Sequence, residues 1–112
     1  MDQKACAYIV TNAESIEAAI VISSSGLPLA WHTRKESSID EVSSISAGLL
    51  AIARELHLFD TTSNASMVFE TAFGALAVRA INADSLLVLC LTEGFSFLTI
   101  NRLLKKFFLY SP

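Results

Sequence analysis

The run Ala18-Ala19-Ile20-Val21-Ile22-Ser23-Ser24-Ser25-Gly26-Leu27-Pro28-Leu29-Ala30-Trp31 constrains the fold more than any other stretch. An apolar segment rich in β-branched residues stops at Ser-Ser-Ser-Gly, and a second apolar segment restarts at once. Two strands this close in sequence must pair antiparallel. Pro28 cannot donate a ladder hydrogen bond, so the second strand belongs at a sheet edge. The expected strands span 16–23 and 27–33.

A polar connection leads into a long helix expected over 40–58. Ser38 is the expected N-cap, and Glu41 three residues later completes a capping box. Asp40 and Glu41 suit the positive end of the helix dipole. Val42, Ile45, Leu49, Ile52, Ala53 and Leu56 recur at helical spacing and form the expected core stripe. The other faces lack the charge of a solvated helix. Beyond the first turn the only charges are Arg54 and Glu55. Ser43, Ser46, Ala47 and Leu50 line one flank; Ser44, Gly48 and Ala51 line the outer side. Gly48 costs about 1 kcal/mol relative to Ala in a helix interior, and small residues let another backbone approach closely. Two readings fit: a poorly charged surface helix, or a helix packed on both sides, the second time against a partner chain. The second leads to a homodimer with Ser43, Ser46, Ala47, Leu50 and Arg54 at or beside the contact. Ser44, Gly48, Ala51 and Glu55 point away from the core stripe, at about 100° per residue, and would form a platform for a partner.

The remaining elements follow from shorter patterns. Residues 2–12 allow a brief helix with Ala5, Tyr8 and Ile9 on one stripe. Three strands are expected over 66–72, 75–82 and 85–92, with turns at Gly74 and Asn82-Ala83-Asp84. Leu86-Leu87-Val88-Leu89-Cys90-Leu91 shows no alternation, so this strand is buried on both faces and lies centrally. Helices must then cover both sides of the sheet. A final helix is expected over 97–110. Leu98, Asn101, Leu104 and Phe108 would share its buried face, with Arg102, Lys105 and Lys106 on or near the other.

At 112 residues the chain reads as one domain, 1–112. Its composition is 53% apolar and 17% charged, against about 45–50% and about 25% in typical domains. The excess implies either membrane or protein-covered surface. No uninterrupted apolar run reaches the roughly 18 residues of a transmembrane helix. Met1-Asp2-Gln3-Lys4 lacks the basic start of a signal peptide. An oligomer is the better explanation. A net charge of −3, with no basic cluster beyond Lys105-Lys106, argues against nucleic acid. Cys6 and Cys90 lack metal-ligand spacing and fit a reduced, cytoplasmic protein with buried thiols.

Enzyme readings fare poorly. Ser23, Ser24 and Ser25 are explained by a turn, and no G-x-S-x-G elbow is present. His32 and His57 have no second ligand at i+3 or i+4, so no metal pair is expected. No P-loop motif occurs. Arg34, Arg54, Arg79 and Arg102 read as surface or interface residues before arginine fingers. Phe107 and Phe108, beside Lys105 and Lys106, read as rings packed on the sheet before a membrane-surface element. No catalytic residue, cofactor or metal is expected.

The order of elements is helix, two strands, long helix, three strands, helix. Together with the 18–30 hairpin, the Ser/Ala-rich helix over 40–58 and Ala75-Leu76-Ala77-Val78-Arg79-Ala80-Ile81, it resembles the Roadblock/LC7 family. The resemblance covers nearly the whole chain. It implies a profilin-like α/β three-layer sandwich: a five-stranded antiparallel sheet with one long helix on one face and the terminal helices on the other. It also implies a non-catalytic scaffold that dimerises through the long helix and a neighbouring edge strand. Such scaffolds include dynein light chains and MglB-type regulators. The implied partner is a Ras-like, MglA-like small GTPase or another Roadblock-type protein. The alternatives are a small-ligand sensor of profilin/PAS-like type, using a pocket between sheet and helix, and a structural subunit of a larger complex.

Overall fold

The computed structural model describes residues 1–36, 38–59, 67–71 and 74–110, without the side chains of 69, 71 and 107–110. The elements run α1 (Gln3–Thr11), β1 (Ile16–Ser23), β2 (Pro28–Thr33), α2 (Ile39–Glu55), β3 (Met67–Thr71), β4 (Gly74–Asn82), β5 (Ser85–Leu91) and α3 (Phe97–Tyr110). One antiparallel sheet has the order β2-β1-β5-β4-β3. β2 is an edge strand and β5 is the middle one, as Pro28 and the unbroken apolar run require. Residues 60–66 and 72–73, and the rings of Phe107 and Phe108, lie outside the described residues.

Alternation along the strands splits the core into two layers. Ala19, Val21, Ala77, Leu87 and Leu89 pack with Cys6, Ile9 and Val10 of α1 and Ile100 and Leu104 of α3. Ile20, Ile22, Leu76, Val78, Leu86 and Val88 pack with Val42, Leu49 and Ala53 of α2. The sheet is therefore the middle of three layers, with α2 on one side and α1 and α3 on the other.

Local chemistry sets the helix ends. Asp2 Oδ1 accepts from the Ala5 N–H at 2.9 Å, and Ser38 Oγ accepts from the Glu41 N–H at 3.2 Å. Ser96 Oγ accepts from the Thr99 N–H at 3.3 Å. α2 stops three residues short of the expected end. His57 adopts φ 54. The Leu58 N–H then reaches the Ala53 carbonyl, and the His57 N–H that of Arg54. This is a Schellman cap with histidine where glycine is usual.

Three helix faces differ from the expected ones. In α1 the buried residues are Cys6, Ile9 and Val10, while Tyr8 is exposed. In α3, Ile100 and Leu104 are buried, whereas Leu98 and Asn101 are exposed. In α2 the inward stripe is Val42, Ser46, Leu49 and Ala53. Ile45 and Leu56 are exposed and Ile52 is half-buried. The helix is thus turned by roughly 40° from the expected setting, at about 100° per residue.

Candidate functional site

The rotation of α2 decides which of its residues can meet a partner. Ser46, expected at a contact between chains, is completely buried within its own chain. Its hydroxyl donates to the Val42 carbonyl at 2.8 Å, which satisfies the group inside an apolar layer. Leu50 packs over Gly26 in the β1–β2 turn. Arg54 donates to the Ser24 carbonyl at 3.3 Å. Ser43 is half-buried and Ala47 exposed. The flank holding Ser43, Leu50 and Arg54 is thus the one that faces the β1–β2 turn.

Ser44, Gly48, Ala51 and Glu55 all face outward and are exposed. Gly48 matters most. A Cβ placed on it would meet nothing within 4 Å. Nothing inside the chain requires glycine there, although glycine weakens the helix.

Ile45, Ile52 and Leu56 lie on the flank opposite Leu50 and Arg54, by about 100° per residue. Ile45 also borders a cavity with Ala18 and Ile20 of β1 and Cys90 of β5. Ile45 is 39% and Leu56 49% exposed. The two sheet edges are built differently. β2 carries Pro28, and its pairing with β1 is broken by a register shift at Val21/Ile22. Proline and bulges are the usual guards against edge-to-edge pairing. β3 has neither. Its sequence, Met67-Val68-Phe69-Glu70-Thr71, pairs with β4 without a shift from Met67↔Val78 to Thr71↔Gly74. Among the described residues the chain thus presents a regular strand edge at β3 and a partly exposed apolar flank on α2.

Two cavities are small. One, of 230 Å³, lies between the sheet and the start of α2. Ala18, Ile20, Val42, Ile45 and Cys90 give it an apolar floor, and Glu17, Thr33, Arg34 and Lys35 a polar mouth. The other, of 320 Å³, lies between the start of β4 and the end of β5, with Glu70 and Glu93 on its walls. Among the described residues, no group of three His, Cys, Asp or Glu is placed to hold a metal ion.

The arginines and cysteines sit in different settings. Arg34 Nη2 donates to the carbonyls of Val10, Ala13 and Ile16 at 2.6, 2.9 and 3.0 Å. Burial lowers the pKa of Arg79 in β4. Arg102 is exposed on α3. Burial pushes the Cys6 thiol up to about 11. Burial, then the Glu17 charge, raises that of Cys90. Both cysteines are free thiols.

No protein-family model matches the sequence, and no curated protein is similar to it in sequence. Solved structures do match in shape. A Roadblock/LC7 domain from Streptomyces avermitilis superposes with a TM-score of 0.73 at 16% identity, covering 95% of this chain and 93% of that one. MglC from Myxococcus xanthus gives 0.70 at 18% identity, covering 94% and 91%. Myxococcus xanthus MglB gives 0.66 at 15% identity, covering 93% and 85%. The chain has the Roadblock/LC7 fold.

Proposed function

We propose that the chain is a dimeric, non-catalytic Roadblock-type scaffold of the cytoplasm that binds and regulates a Ras-like small GTPase. Two copies pair antiparallel along β3 and join their sheets. Ile45, Gly48, Ile52 and Leu56 of the two α2 helices meet beside that seam. The outer face, with Ser44, Gly48, Ala51 and Glu55, becomes the middle of a two-helix platform for the GTPase or another Roadblock-type protein. The contact therefore moves from the flank of Ser43, Leu50 and Arg54, which the β1–β2 turn occupies, to the opposite flank.

Gly48 is the observation that carries this reading. It weakens α2 by about 1 kcal/mol, yet among the described residues nothing fills the space a side chain would take. A close approach by another chain supplies the reason. The apolar flank and the unguarded β3 edge support the same contact.

The test is capture of a Ras-like GTPase from the native host by the tagged chain. Gly48→Glu combined with Ala51→Lys should abolish capture. Normal capture by this double variant would shift the site to the α1/α3 face. A small-ligand sensor would use the 230 Å³ cavity under α2. That volume falls below the roughly 300–1,000 Å³ of ordinary ligand sites, so the scaffold reading stands ahead of it.

A further inference from the structure

We propose that the outward face of α3 docks on an anionic lipid bilayer. α3 holds three of the chain's eight Lys and Arg and none of its eleven Asp and Glu. Arg102, Lys105 and Lys106 are all exposed. Phe97 and Leu98, at the start of the same helix, are 53% and 58% exposed. At about 100° per residue, Leu98, Arg102, Lys105 and Lys106 point away from the buried Ile100 and Leu104. Across the sheet, α2 carries Asp40, Glu41 and Glu55 against Arg54 alone. Charge is thus segregated between the two helical faces.

The chemistry of this face suits lipid better than nucleic acid or an acidic protein. Single-stranded nucleic acid is gripped in a cationic groove with stacking aromatic rings, whereas this is one convex helix. Its cations follow an exposed leucine by one to two turns of the same helix. Cations at a bilayer meet anionic headgroups, while an apolar side chain beside them enters the acyl boundary. The dimer strengthens the case, and this step rests on that reading. Antiparallel pairing along β3 places the two-fold axis perpendicular to the sheet. Both α3 helices then lie on one side and both α2 helices on the other. Six cations can reach a planar surface together while the α2 platform faces away from it.

Each Lys or Arg near an anionic membrane strengthens binding roughly fivefold. The experiment is co-sedimentation of the chain with vesicles of phosphatidylcholine alone and of phosphatidylcholine mixed with phosphatidylserine. Binding is expected only to the mixed vesicles, with release at high salt. Reversing all three charges, with Arg102→Glu, Lys105→Glu and Lys106→Glu, should weaken it by more than about a hundredfold. Leu98→Ser should weaken it severalfold at unchanged charge. These positions are exposed, so each variant should fold, which circular dichroism checks. Failure of the chain to bind the mixed vesicles overturns the proposal, as does undiminished binding by the triple variant. Retention by polyglutamate or DNA without vesicle binding also overturns it, in favour of an acidic macromolecule. Sedimentation run in parallel separates the two readings. A monomer whose vesicle binding still needs the α3 cations keeps the docking face and refutes the dimer. A dimer that ignores the mixed vesicles keeps the dimer and refutes the docking face.

Discussion

Leu50 packs onto the bare α-carbon of Gly26: a Cβ there would lie 2.8 Å from Leu50 Cδ2 and 3.3 Å from Leu50 Cβ. Gly26 also holds φ +86, a left-handed conformation that disfavours side chains. The β1–β2 turn is therefore seated on α2 by a glycine. Gly26→Ala should destabilise the chain by about 1–3 kcal/mol in urea unfolding. In a Leu50→Ala background the same change should cost less, because the Cδ2 overlap is gone and only the backbone strain and the 3.3 Å approach to the Cβ of residue 50 are left. An equal cost in both backgrounds would separate the turn from the helix.

Gly48 is the opposite case. Its helix has room for a side chain, so Gly48→Ala should stabilise the free chain by about 1 kcal/mol while weakening association. Stability and self-association measured on the same sample test both halves. A stabilised variant with undiminished self-association would show that no close approach occurs at this position.

Arg34 anchors α1. One guanidinium nitrogen serves three carbonyls at the end of α1 and in the loop after it, where the helix dipole favours a cation. Lysine lacks the planar fork, so Arg34→Lys should destabilise by about 1.5–3 kcal/mol. Hydrogen exchange should accelerate first in Gln3–Thr11. Uniform acceleration across the sheet would instead mark Arg34 as a general stability contact.

Burial raises the Cys6 thiol from its ordinary 9.0 to about 11. Between those values the unfolded chain releases the proton and the folded chain keeps it. Stability from this group is full below about pH 9 and falls as pH rises towards 11, with a limiting slope of about 1.4 kcal/mol per pH unit. Cys6→Ala should remove that component of the alkaline slope. Identical slopes for the two chains would show that the thiol ionises without unfolding.

Elements governed by neighbours in sequence could be read directly. The 18–31 hairpin, the edge position of Pro28, the Ser38 cap and the central β5 each follow from local chemistry or an unbroken apolar run. Helix orientation could not be read so well, because periodicity treats a hydroxyl as outward. Ser46 turns inward since its own helix supplies the acceptor. Tyr8 and Leu98 count as apolar yet stay exposed, while Cys6 and Ile100 fill the layer. The early end of α2 was hidden because histidine, not glycine, takes the left-handed position. The unguarded edge of β3 depends on strand order, which long-range pairing sets. The outward positions of Ser44, Gly48, Ala51 and Glu55 match the sequence reading, whereas the flank beside them does not.

Sedimentation equilibrium at micromolar concentration, on the chain and on Ile45→Arg, bears on the proposed assembly without any unidentified partner. Ile45 is 39% exposed in the single chain, so arginine there should leave the fold intact by circular dichroism. In the dimer that arginine would be desolvated without a partner charge. The parent chain should sediment at twice its 12.1 kDa, and Ile45→Arg at the single-chain mass. A parent chain that sediments as a 12.1 kDa monomer at micromolar concentration would contradict the paired-helix scaffold.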